Sequence, residues 1–226
     1  MKSIPHLLFI CSALILTGLA VAAPAKDSKK TKGDPWPLNT CIVAESKLGS
    51  MGKPIVYNHE GREVKFCCKK CLAKFIADPE TYLQRADKKI IKQQMDHYPL
   101  TTCLVQADEK LEEGTIDKVY KNRLVRFCCK RCVRQFRKDP AAYLKKLDEA
   151  VIKAQLKDYP ADHCVMSGNK LGTMGEPVNY IFANRLIRFC CTECIKSFRK
   201  DPLKYTAMLD ALKEDRKEKP AATQPK

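Results

Sequence analysis

Residues 66–83 read Phe66-Cys67-Cys68-Lys69-Lys70-Cys71-Leu72-Ala73-Lys74-Phe75-Ile76-Ala77-Asp78-Pro79-Glu80-Thr81-Tyr82-Leu83, and the pattern returns twice with substitutions. It is FCCKRCVRQFRKDPAAYL at 127–144 and FCCTECIKSFRKDPLKYT at 189–206. The equivalent cysteines Cys67, Cys128 and Cys190 stand 61 and 62 residues apart, and each run is preceded by one further cysteine, Cys41, Cys103 or Cys164. A fixed period of this length marks tandem modules rather than one large domain. Asp34-Pro35-Trp36-Pro37-Leu38, His97-Tyr98-Pro99-Leu100 and Asp158-Tyr159-Pro160-Ala161 repeat the approach to that earlier cysteine. Of 13 cysteines, 12 divide four to a copy, which leaves only Cys11, in an N-terminal apolar run.

Within a copy the hydrophobic period changes once. Residues 55–66 predict a β-hairpin, with Val64 and Phe66 on one face and Arg62 and Lys65 solvated; Asn122 and Asn184 fall where the other two copies turn. After the double cysteine, Leu72, Phe75 and Ile76 recur at helical spacing, which puts Cys68 and Cys71 in the first turn of a helix. Asp78-Pro79, Asp139-Pro140 and Asp201-Pro202 each predict an N-cap with proline at the first helical position. A second helix then follows, from Pro79 to about Gln94 in the first copy. The fold class is α+β: three small tandem units, each a hairpin followed by helices, linked as a semi-rigid string. Phe75, Phe136 and Phe198, with Tyr82, Tyr143 and Tyr205, are expected in the cores.

The flanks read differently. Lys2 precedes an apolar run from Leu7 to Val21, and Ala20-Val21-Ala22-Ala23 offers a small-residue cleavage site after Ala22, so 1–22 is read as a signal peptide and the location as periplasmic or secreted. The remaining boundaries are 23–34 as a disordered linker, 35–98, 99–160 and 161–213 as the first, second and third four-cysteine modules, and 214–226 as a disordered tail. The 226 residues carry a net charge of +16, spread along the chain rather than gathered in one block. That balance permits weak attraction to anionic surfaces but points to no specific nucleic-acid partner.

A unit of roughly 60 residues buries too little apolar surface for comfortable stability and commonly adds a metal or disulfides. Four cysteines at one repeated spacing supply such a cross-link. The candidate ligands are Cys41, Cys67, Cys68 and Cys71; Cys103, Cys128, Cys129 and Cys132; and Cys164, Cys190, Cys191 and Cys194. The first, second and fourth of each set form the core, and the third is a fourth ligand or a packing residue. Thiolate sets suit Zn2+ or Cu+, up to three ions here. A helix start favours the thiolate. Lys69 and Lys70, or Lys130 and Arg131, offset the negative charge that the thiolates bring, whereas the third copy has Thr192 and Glu193. His59 and His163 each occur in one copy only and read as surface histidines.

The run F-C-C-x-x-C-x-x-x-F-x-x-D-P-x-x-Y, with its upstream cysteine and Lys47-Leu48-Gly49-Ser50-Met51-Gly52-Lys53-Pro54, resembles the YHS and TRASH-like families of small metal-binding domains over about 50 residues of each copy. The resemblance implies a zinc-finger-like, treble-clef-related fold, ligand sets Cys41/Cys67/Cys71, Cys103/Cys128/Cys132 and Cys164/Cys190/Cys194, and a role in heavy-metal binding, sensing or trafficking. This sequence departs from the family in having Cys68, Cys129 or Cys191 where YHS domains usually have a small polar residue. The gap before the cluster is also longer than in TRASH domains, and the second copy replaces the glycine-methionine turn with Glu112-Glu113-Gly114.

The expected function is therefore that of an exported, non-enzymatic protein that buffers, sequesters or delivers metal, with a metal-efflux or metal-delivery protein as a candidate partner. Two other readings stand beside it. Oxidising conditions would allow disulfides such as Cys41–Cys68 and Cys67–Cys71, making a stapled interaction module. The C-K-K-C and C-K-R-C pairs also resemble redox-active motifs, although no thioredoxin-like βαβ context accompanies them. No histidine, serine or carboxylate pair recurs with the cysteines to support hydrolysis or group transfer.

Overall fold

The two residues that reverse each hairpin set its geometry. In the computed structural model, which describes residues 33–218, Glu60 and Gly61, Lys121 and Asn122, and Ala183 and Asn184 all have positive φ, from 47° to 83°. Two consecutive left-handed residues form the tight turn whose twist matches the flanking strands. They join β1 (Ile55–His59) to β2 (Arg62–Phe66), β3 (Ile116–Tyr120) to β4 (Arg123–Phe127), and β5 (Val178–Phe182) to β6 (Arg185–Phe189). The three antiparallel pairs share one register, from Ile55 opposite Phe66 to His59 opposite Arg62 and their equivalents.

A short helix follows each hairpin: α1 (Lys69–Ala77), α3 (Lys130–Lys138) and α5 (Glu193–Phe198). A long one comes after it: α2 (Pro79–Met95), α4 (Pro140–Gln155) and α6 (Pro202–Glu218). Asp78 and Asp139 cap α2 and α4 as expected, accepting from the Thr81 and Ala142 amides at 3.2 and 3.1 Å, and Lys204 N–H reaches Asp201 at 3.4 Å. The short helix packs through one phenylalanine. Phe75 is fully buried and meets Phe66, Tyr57 and His59 with ring centres 5.2 to 6.2 Å apart. Phe136 and Phe198 occupy the same place in the other modules and also touch Tyr143 and Tyr205.

Three expectations need correction. Arg62 is not solvated; it lies on the Val64–Phe66 face of the hairpin and is 8% exposed, because strand alternation sends residues 62, 64 and 66 to one side. The tail expected from residue 214 is helical as far as Glu218, and of the linker expected at 23–34, Gly33 and Asp34 pack on the modules. The signal-peptide reading lies outside the described residues, as do residues 219–226.

Nor do the modules form a mere string, since they interlock. Asn122, completely buried in the turn of module 2, accepts from Arg62 Nε at 2.7 Å and donates to the backbone oxygens of Glu63 and Asp34. Gln94, at the end of α2, donates to the Asn122 carbonyl at 2.8 Å and accepts from the Leu124 amide at 2.8 Å. One module on, Asn184 accepts from Arg123 Nε at 2.7 Å, and Gln155 bonds the Asn184 carbonyl and the Leu186 amide at 2.9 Å each. Within its own module each arginine pairs with the long helix, Arg62 with Asp87 at 2.6 Å, and Arg123 with Asp148. Asp34 reaches modules 2 and 3: its carbonyl accepts from Asn122 and its carboxylate from the Ala183 amide, each at 3.1 Å, and burial pushes its pKa up.

A buried amide that serves one arginine and two carbonyls cannot be removed without stranding all three. Asn122→Ala is expected to cost about 2–4 kcal/mol, against about 1 kcal/mol for loss of the exposed cap in Asp139→Ala. Urea unfolding midpoints of the full chain would check this difference.

Candidate metal centres

Each centre is assembled from a loop before the hairpin and the exit from it. The loop is closed by a backbone bridge, Thr40 to Lys47 in module 1, Thr102 to Lys110 in module 2 and His163 to Lys170 in module 3, which brings the early cysteine back beside the short helix. Cys41, Cys103 and Cys164 are each 1% exposed there. The Ala44 and Gln106 amides point at Cys41 and Cys103 Sγ from 3.5 Å. The second strand ends on Phe66, Phe127 or Phe189, so the next residue, Cys67, Cys128 or Cys190, leaves the sheet directly into the site.

Cys68 and Cys129 are not in the first turn of a helix. They are the residues just before it, with extended backbone at φ −157° and −158°. Cys71 and Cys132 lie in that first turn and are buried. In module 3 the helix starts one residue later, after Thr192.

Three sulfurs meet in each module. Cys41, Cys67 and Cys71 Sγ all lie within 4.8 Å of one another, as do those of Cys103, Cys128 and Cys132 and of Cys164, Cys190 and Cys194. The sulfurs of Cys67 and Cys71 are 3.6 Å apart, of Cys128 and Cys132 3.7 Å, and of Cys190 and Cys194 3.8 Å. Zinc–sulfur bonds of about 2.3 Å at tetrahedral angles require sulfurs about 3.8 Å apart. Cys68, Cys129 and Cys191 stand at the same range from the helix-turn cysteine, 3.7, 3.7 and 3.8 Å, but do not belong to the groups of three; they are half-buried. The twelve cysteines of the described residues are free thiols. Among the described residues no histidine enters: His59 packs edge-on against Phe75, and His163 bonds Asp162 at 2.5 Å.

The thiols differ in acidity, and not as helix position alone suggests. Burial opposes ionisation of Cys41, but the surrounding N–H groups of Ala44, Cys67 and Val43 outweigh it and hold the thiol below its ordinary value. Cys103 is lowered by the same balance, and Cys164, with the Cys190 amide and Ser167 around it, falls to about 7. The amide of Cys71 draws Cys68 down, as the amides of Cys132 and Cys194 do for Cys129 and Cys191. Cys71, Cys132 and Cys194 are pushed up, by burial first and by the neighbouring sulfurs next. Burial also raises Cys128, to about 11. Such a set mixes groups that ionise readily with groups that ionise when a cation neutralises them.

Two side chains at the sites were not singled out by the cysteine pattern. Gln106 Oε1 lies 3.2 Å from Cys132 Sγ and 3.9 Å from Cys128 Sγ, and Ser167 Oγ lies 3.3 Å from Cys190 Sγ. Both stand three residues after the early cysteine, where module 1 has Ala44. That offset was the available signal.

No protein-family model matches the chain. Comparison with curated proteins and with solved structures likewise finds no match. Among the described residues no helix is long and apolar enough to cross a membrane.

In reduced, metal-free protein at neutral pH, Cys68, Cys129 and Cys191 are expected to alkylate before Cys71, Cys132 and Cys194, because the former are half-exposed and lowered while the latter are raised. Time-resolved peptide mass spectrometry with iodoacetamide would show the order; uniform labelling would contradict it.

Proposed function

We propose that the chain is an exported binding protein for soft or borderline heavy-metal ions, Zn2+ or Cu+, holding up to three of them through Cys41/Cys67/Cys71, Cys103/Cys128/Cys132 and Cys164/Cys190/Cys194. The observation that carries this reading is the sulfur spacing of 3.6 to 3.8 Å repeated in all three modules. It is the edge of a thiolate tetrahedron and far longer than the roughly 2.05 Å of a disulfide bond. The loop–hairpin–helix order, with ligands from the loop and from the helix start, is what a treble-clef-related finger would need. The resemblance to YHS and TRASH-like domains supports the same reading, and the apolar N-terminal run supports export.

Cys68, Cys129 and Cys191 give the proposal its functional direction. A half-exposed thiol beside the buried helix-turn cysteine offers a further ligand at the solvent side. It can enter as another leaves, which suits a protein that accepts and releases its ion rather than one that only uses it as a staple. Buffering, sequestration or delivery to an efflux or acceptor protein fits such a site. Among the described residues no acid or base recurs beside the sulfurs to support catalysis.

Native protein purified anaerobically should carry about three Zn or Cu ions per chain with few disulfides, read by elemental mass spectrometry and a thiol count. About six disulfides and no metal would refute the proposal. Cys71→Ser should remove about one ion, whereas Cys68→Ser should retain the ion and slow its transfer to a chelator. Because protons compete for the thiolates, metal affinity should fall as pH is lowered below 7.

A further inference from the structure

The three centres are alike in their cysteines and unlike in the residue that faces them from the loop. Three positions after the early cysteine stands Ala44 in module 1, Gln106 in module 2 and Ser167 in module 3. The loop bends so that the amide of this residue points at the early sulfur in modules 1 and 2, which places its side chain on the rim of the sulfur group. In module 1 that rim carries only a methyl group.

In module 2 it carries a carboxamide oxygen, 3.2 Å from Cys132 Sγ and 3.9 Å from Cys128 Sγ. A tetrahedral ion with bonds of about 2.3 Å to sulfur and about 2.1 Å to oxygen needs a sulfur-to-oxygen distance of about 3.6 Å. The two observed distances bracket that value. Cys129 also borders the group of three, 3.7 Å from Cys132 Sγ, but brings a further sulfur; Gln106 is the bordering side chain that brings an oxygen to two of its members.

We infer that Gln106 Oε1 is the fourth donor of the second centre, so that this centre binds its ion through three sulfurs and one oxygen and favours Zn2+, while the first, with Ala44, is an all-sulfur centre. This rests on the metal-binding reading and deepens it. A neutral oxygen is a harder ligand than a thiolate, and it fills the coordination position that a divalent tetrahedral ion requires and a monovalent soft ion does without. Ser167 Oγ, 3.3 Å from Cys190 Sγ, gives the third centre a weaker oxygen. One chain would then offer graded sites rather than three copies of one.

The test uses the reduced full-length chain with Zn2+ and Ag+ as probes, and reads each centre separately through metal protection of its cysteines from alkylation. Gln106→Ala, which installs the residue that module 1 already has, should weaken Zn2+ protection of Cys128 and Cys132 about 10–100-fold and leave Ag+ protection unchanged. Gln106→Glu should restore Zn2+ protection, since it keeps an oxygen there. Equal losses for both ions, or no loss for either, would overturn the inference while leaving metal binding intact. Absence of Zn2+ and Ag+ protection at all three centres of the unmodified chain would overturn both.

Discussion

A buried hairpin turn holds this protein together. Asn122 and Asn184 place a side-chain amide beside an arginine of the preceding module, and a glutamine from that module's last helix holds the same turn by its backbone. Each of these groups would be costly to bury alone. Together they satisfy one another, so each module supplies the partners that the next one needs. Small hairpin-and-helix units with little core of their own thereby share one fold, and the apolar packing crosses the same boundary where Val119 of module 2 joins the core of module 1.

The first and third modules depart from this device in their residues. Module 1 has Gly61 at the position of Asn122 and Asn184, and among the described residues its turn serves no arginine. Module 3 has Lys217 where α2 and α4 have Gln94 and Gln155; it pairs instead with Glu214 at 2.8 Å. Arg185, which bonds no turn asparagine among the described residues, pairs with Asp210 and donates to the Thr206 carbonyl on the long helix of its module.

The sulfur groups depend on this frame indirectly. A hairpin of fixed register ends on a buried phenylalanine, so the following cysteine must leave at one point. The phenylalanine one turn beyond the helix-turn cysteine then clamps the helix against that sheet. Between those two anchors the double cysteine has little freedom. The buried loop cysteine, surrounded by amide groups, completes a cluster that is mostly dry and electrostatically prepared for negative charge.

Much of this was legible in the chain itself. Repetition of FCC-x-x-C and Asp-Pro at one period gave the modules, the starts of the long helices and the candidate ligands, because these depend on local geometry: a cap, a proline, a change of hydrophobic period. Asn122 and Asn184 were also readable as turn residues, since few other side chains tolerate left-handed backbone. Their burial was not readable, nor was that of Arg62, because the partners lie 60 residues away in sequence and only the packing of one module on the next brings them together. The same holds for Gln106. Its distance from Cys103 is local and visible, whereas its approach to Cys128 and Cys132 arises only when the loop closes over the hairpin exit, and that closure is decided by tertiary packing.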